Sequence, residues 1–260
     1  MEKLKVIGIL QARVSSTRLP GKVIKPLLGK PMILQQINRL KRCRKLEKII
    51  VATSCDPSDD RLVSVLENNK IDVYRGSLDN VLDRFCNAAA LYMPEHVVRL
   101  TADCPLADPL VIDKVIEAHL QQGNDYTANC VKATYPDGLD VEVMSYRALK
   151  EAKENAKLPS ELEHVTPYIR NHPQRYKIGN VRNNCDLSAM RWTVDEPEDF
   201  EFVETVYNRL YSILPYFVMK DILDLLEKEP ELKDINSEFK RNSGMNNSLN
   251  KDKKYLEKKI

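Results

Sequence analysis

Short β-branched runs alternate with amphipathic stretches through the first half of the chain. KVIGIL at 5–10, KIIVAT at 48–53, IDVYRG at 71–76 and HVVRLT at 96–101 read as strands. Between them, PMILQQINRLKRC at 31–43 places Ile33, Ile37 and Leu40 near helical spacing, with Pro31 in a first-turn position. Helices are also predicted over 61–69, 80–92 and 109–122. This order predicts an α/β fold, a mostly parallel sheet covered by helices.

The pattern changes after residue 124. DYTANC at 125–130 and LDVEVMS at 139–145 read as strands around a YPDG turn at 135–138. Helices are expected over 146–156 and 161–172, strands over 175–181 and 190–194, and helices over 196–211 and 217–229. From Ser237 the chain turns polar and Lys-rich, so one domain over 1–236 and a tail over 237–260 are expected, the tail either flexible or strapped across the core.

Composition changes this picture little. The 260 residues are 43% hydrophobic and 30% charged, within the range of globular domains. Forty Lys and Arg against 38 Asp and Glu leave a net charge of +2. That near balance argues against a nucleic-acid coat, which needs a basic excess. The six cysteines are scattered without a CxxC pair, so neither a zinc site nor a disulfide framework is signalled. With no run of 18 apolar residues and no secretory leader, a cytoplasmic protein without a membrane partner is expected.

Local chemistry is more informative. LQARVSSTRLPGK, residues 10–22, packs Arg13, Arg18 and Lys22 with three hydroxyls directly after the first strand. In α/β sheets ligands sit beyond the carboxyl ends of strands, so these cations suit a phosphate-rich anion, although a solvated basic loop fits the residues equally well. Neither the GxxxxGK[ST] nor the GxGxxG spacing is present. Asp103 follows the strand at 96–101 and Asp195 follows the apolar run at 190–194. Each alone reads as a helix cap, though Asp108 suits the cap after Asp103 better. Together, beside a basic loop, they suit one Mg²⁺ shared between carboxylates and phosphate.

ARVSSTRLPGK, VVRLTADCPL and TVDEPEDFE resemble motifs of the cytidylyltransferases that make CMP-sugars, the CMP-Kdo synthetases and acylneuraminate cytidylyltransferases. YPDGLDVEV, EHVTPYIRNHP and RWTVDEPEDFEFV are similar to the SpsF-type branch of spore coat polysaccharide proteins, and the likeness spans about residues 1–245. The resemblance implies a Rossmann-like nucleotidyltransferase fold of the GT-A type, Mg²⁺ as cofactor and transfer of CMP from CTP to a sugar or sugar acid, with pyrophosphate leaving. It implies that Leu10, Ala12, Arg13, Ser16, Arg18, Lys22 and Arg75 meet the nucleotide, and that Asp103 and Asp195 hold the metal. Arg13, Lys22 and Asp103 are the expected catalytic residues.

The acceptor side is less defined. Asp137, Asp140 and Glu142 fit an acceptor loop or a hairpin turn, and Asn80 fits the cleft or a helix cap. His164 and Arg170 fit the cleft, and His164 equally a structural role. Relatives of this kind are often dimers, so a homodimer is kept as an expectation. The alternatives are a sugar-1-phosphate enzyme using another nucleotide, a GT-A glycosyltransferase and a non-catalytic nucleotide-binding protein. The lack of glycine in the basic loop before Gly21 counts against the first, and the lack of a DxD at ADCP against the second.

Overall fold

The computed structural model, which describes residues 5–239, 241 and 243–257, carries the alternating runs into one seven-stranded sheet. The strands are β1 (Val6–Gln11), β4 (Lys48–Ser54), β5 (Asp72–Gly76), β6 (His96–Thr101), β7 (Tyr126–Ala128), β8 (Glu142–Ser145) and β9 (Ile178–Asn180). A small hairpin of β2 (Pro26–Leu27) and β3 (Lys30–Pro31) stands apart. The sheet order is β5-β4-β1-β6-β8-β7-β9. Only β8 runs antiparallel to its neighbours, β6 and β7, so the sheet is mixed and mostly parallel, as expected.

Helices cover both faces: α1 (Met32–Leu40), α2 (Asp60–Asn68), α3 (Val81–Ala90), α4 (Pro109–Gln122), α5 (Tyr146–Asn155), α6 (Pro159–His164), α7 (Pro167–Arg170), α8 (Pro197–Leu210), α9 (Met219–Lys228) and α10 (Ser243–Glu257). Side chains alternate along a strand, so β1 sends Val6 and Leu10 into one core and Ile7 and Ile9 into the other. Both faces being buried explains why β1 reads as an unbroken apolar run. The first core gathers Ile33, Val51, Val98, Leu106, Phe200 and Val203; the second gathers Ile50, Leu82, Phe85, Val97 and Leu149.

Two expected elements are corrected. The helix over 161–172 is broken into α6 and α7, with Val165 at φ 71 between them. Pro167 has no N–H to continue the helical ladder, and a β-branched residue at positive φ ends a helix outright. The strand over 190–194 is an extended segment with a single bridge, Asp137 to Arg191. That bridge consists of Asp137 N–H donating to Met190 O at 2.9 Å and Trp192 N–H donating to Asp137 O at 2.6 Å, while Val194 N–H goes to Asp103 O at 2.7 Å. Beyond residue 237, α10 packs against α6.

Candidate active site

Loops leaving the carboxyl edge of the sheet converge on a cleft of about 980 Å³. The first is the basic loop after β1. Its start is pinned by Asp59, a fully buried carboxylate that accepts from Val14 N at 2.7 Å, Thr53 Oγ1 at 2.9 Å and Ser54 N at 3.1 Å. Its end is closed by Gly21, at φ 72, whose N–H donates to Val14 O at 3.1 Å. That left-handed turn suits glycine and delivers Lys22 inward.

Lys22 is 8% exposed, and its Nζ is the hub of the site. It donates to Val194 O at 2.7 Å and Asp195 Oδ1 at 2.8 Å, and lies 3.7 Å from Asp103 Oδ2. Arg18 reaches Asp195 Oδ1 at 2.9 Å and Glu196 Oε1 at 3.0 Å. Arg13 is exposed at the cleft wall, where Ala12, Ser16 and Thr17 also lie.

The two aspartates come from distant parts of the chain. Asp103 follows β6, and its Oδ1 accepts from Thr101 Oγ1 at 2.5 Å. Its carbonyl accepts from Val194 N and, at 3.2 Å, from Thr193 Oγ1, which binds the two aspartate segments together. Asp195 precedes α8. Burial disfavours its charge, but Lys22, Arg18 and Arg191 outweigh that and hold its carboxyl below the usual range.

Arg191 and Asp199 organise this end, and the sequence reading did not single them out. Asp199, fully buried, takes Arg191 Nε and Nη2 at 2.8 Å each and the N–H groups of Asp195 and Glu196 at 2.9 Å. Arg191 then reaches Asp195 Oδ2 and Asp137 Oδ2, both at 3.3 Å. The signal available was spacing: Asp199 is the third residue of a helix opened by Pro197, where a carboxylate caps free N–H groups.

The cleft carries further charged groups. Burial, reinforced by Asp140 and only partly offset by Arg241 and Arg191, pushes the Asp137 carboxyl up to about 6. Burial also raises Asp140, against the pull of its partner Arg241. Glu142 lines the cleft, yet its oxygens are taken by Arg99, by Tyr126 Oη at 2.6 Å and by Thr166 Oγ1 at 2.6 Å. Burial opposes its charge, but Arg99, Arg170 and the two hydroxyls prevail and hold the carboxyl low. Arg99 stands inside HVVRLT, and a cation within a buried strand was the clue to it. His164 lies at the wall with Nε2 2.9 Å from Ser248 Oγ of α10; burial and then Arg99 lower it to about 4, so it is neutral.

Two expected nucleotide residues lie outside the cleft. Leu10 is fully buried in the core, because strand alternation turns it toward Val51 and Val98. Arg75, at the end of edge strand β5, clips the neighbouring loop: its Nε and Nη2 donate to Ser54 O and Asp56 O at 2.9 and 3.1 Å, and it pairs with Asp60 at 2.7 Å. Asn80 lines the cleft and also caps α3, accepting from Asp83 N at 2.9 Å.

No group of three or more His, Cys, Asp or Glu side chains is arranged as a metal cage among the described residues. Mg²⁺ does not need one, since one or two carboxylates plus substrate phosphates suffice. Asp103 and Asp195 meet that requirement: both already converge on a single cation, the Lys22 ammonium.

The chain is similar to known proteins in sequence and in fold. A cytidylyltransferase family model matches residues 7–237. An uncharacterised protein of Methanocaldococcus jannaschii is 36% identical over 244 residues, 92% of this chain and 98% of its own. The spore coat polysaccharide biosynthesis protein SpsF of Bacillus subtilis is 33% identical over 233 residues, 87% of this chain and 95% of its own. The structure of a cytidylyltransferase from Leptospira borgpetersenii superposes with TM-score 0.83 at 30% identity, covering 88% of this chain and 97% of that one. A CMP:2-keto-3-deoxy-manno-octonic acid synthetase complexed with CTP shares the fold at TM-score 0.61 and 16% identity, over 79% of this chain and 99% of that one. The chain therefore belongs to the cytidylyltransferase family and is a nucleotidyltransferase enzyme.

Proposed function

We propose that the enzyme transfers CMP from CTP to a hydroxyl of a sugar or sugar acid, uses Mg²⁺, releases pyrophosphate and serves surface-polysaccharide synthesis in the cytoplasm. The observation that carries this reading is Lys22 Nζ, held between Asp103 and Asp195 at the floor of a cleft walled by Arg13, Ser16 and Arg18. Such a cluster suits a triphosphate better than a single phosphate.

Arg13, Arg18 and Lys22 bind the triphosphate oxygens and stabilise the charge that gathers on the departing β,γ-phosphates. Asp103 and Asp195 would hold Mg²⁺, which supplies phosphate charge neutralisation when bound. The acceptor oxygen forms a bond to the α-phosphorus as the bond from that phosphorus to the bridging oxygen breaks. Pyrophosphate leaves with the electron pair. The acceptor proton goes to a carboxylate of the cleft, of which Asp137, raised to about 6, is matched to neutral pH.

The test is thermal stabilisation by CTP, UTP, GTP and ATP, each with and without Mg²⁺, followed by pyrophosphate release against a panel of sugar acids and sugars. A ligand at 100 times its Kd stabilises by about 2.7 kcal/mol. Selective, Mg²⁺-enhanced stabilisation by CTP is expected, and Asp103→Asn is expected to remove the Mg²⁺ enhancement while the protein stays folded. Preference for another nucleotide would reassign the donor, and no response to any of the four would overturn the reading.

A further inference from the structure

The Asp103–Asp195 pair is already neutralised by protein cations. Asp195 Oδ1 is shared by Lys22 at 2.8 Å and Arg18 at 2.9 Å, and Oδ2 by Arg191 at 3.3 Å. Asp103 Oδ1 accepts from Thr101 Oγ1 and, at 3.3 Å, from Cys104 Sγ, while Oδ2 faces Lys22. A bare divalent ion entering here meets carboxylates that face three cations.

These cations differ in freedom. Arg191 is clamped by two hydrogen bonds to buried Asp199. Lys22 is buried and also donates to Val194 O at 2.7 Å, but it ends in a compact ammonium on a flexible stem and shares its loop with Arg13 and Ser16 on the cleft wall. A nucleoside triphosphate offers Lys22 and Arg18 new anionic partners in place of the aspartates.

We propose that Lys22 is an exchangeable counter-ion, which holds Asp103 and Asp195 together in the nucleotide-free enzyme, keeps free divalent metal out, and turns onto the phosphates when nucleotide arrives. Metal binding is thereby made conditional on nucleotide. This rests on the assignment of Asp103 and Asp195 to Mg²⁺ in the proposed function.

The test uses Mn²⁺ alone as probe, with no nucleotide, and reads free Mn²⁺ by its electron paramagnetic resonance signal. Lys22→Met keeps the stem and removes the charge; Arg18→Ala, at an exposed side chain, is the second variant. The full-length wild type is expected to bind Mn²⁺ weakly. Lys22→Met is expected to bind at least tenfold tighter, Arg18→Ala by a smaller factor, and adding Asp103→Asn to Lys22→Met to abolish the gain. Wild-type affinity equal to that of Lys22→Met would overturn the inference. So would no gain in either variant while Mg²⁺ still enhances CTP stabilisation of the wild type, which leaves the proposed function standing. Loss of that enhancement in the wild type itself would instead strike the metal assignment, and the inference with it. If Lys22→Met fails to fold, Arg18→Ala decides alone, and no gain there overturns the inference.

Discussion

Asp137 shows how one carboxylate is tuned by the wall that holds it. Burial and Asp140 push it up to about 6 from an ordinary 3.8, despite Arg191 and Arg241. Above that ordinary value the unfolded chain releases a proton that the folded chain keeps. Stability therefore falls as pH rises from about 4 to about 6, by at most about 3 kcal/mol. Asp137→Asn lacks this term. Its stability relative to the parent should climb by up to that amount between pH 4 and pH 7 in urea denaturation, and a flat difference would show that Asp137 titrates normally. Single residues were legible in the sequence where their chemistry was unusual for their place. Arg13, Lys22, Asp103 and Asp195 stood out because cations and carboxylates at strand ends have little packing use. The side chains of Leu10 and Arg75 lie away from the cleft lining, because closeness in sequence to a motif does not say which way a side chain points. Asp59 and Asp199 were overlooked because a capping carboxylate and a site-building one look identical in sequence.

At the scale of elements, the parallel half of the sheet was legible because its inner strands, β1, β4 and β6, are short apolar runs with buried residues on both faces. The later strands were harder, since β7, β8 and β9 are three to four residues long and β8 carries a charged cleft residue, Glu142. The break at Val165 depends on a backbone angle no periodicity encodes. The tail's polar, Lys-rich sequence leaves open a flexible end or a strap across the core. In the structure α10 lays Asp252 against the start of α6, where Ser160 N–H donates to its Oδ1 at 2.8 Å. Leu158 precedes α6 and has no acceptor in its side chain, so Asp252 supplies the cap from a distant helix. Ser248 and Lys251 add bonds to Glu163, and Met245 and Lys251 line the cleft. Asp252→Ala should cost about 1 kcal/mol, the usual worth of such a cap, and speed amide exchange in α6 and α10 together. Faster exchange in α10 alone would mean that the two helices do not support one another.

The whole molecule balances opposed proton linkages across the mildly acidic range. His119 is fully buried, with Nε2 2.9 Å from His96 Nδ1 and Nδ1 3.1 Å from Thr127 Oγ1. Burial, then the neighbouring His96, lowers it to about 4 from 6.5. His164, at the cleft wall, is lowered to about 4 as well. Below pH 6.5 the unfolded chain takes up protons that these two folded imidazoles refuse. Stability is therefore complete above about 6.5 and is lost as pH falls toward 4, by about 2 kcal/mol for each histidine between pH 7 and pH 5. Asp137 works in the opposite direction over the same window, but as one group against two. The net expectation is an enzyme less stable at pH 5 than at pH 7. Denaturation of His119→Gln at both values isolates one contribution. Whatever the substitution costs in packing is common to both pH values, so the wild-type advantage over it should shrink by about 2 kcal/mol on acidification. An advantage that stays constant would mean that His119 is protonated in the fold, and that the contact with His96 then carries a shared charge.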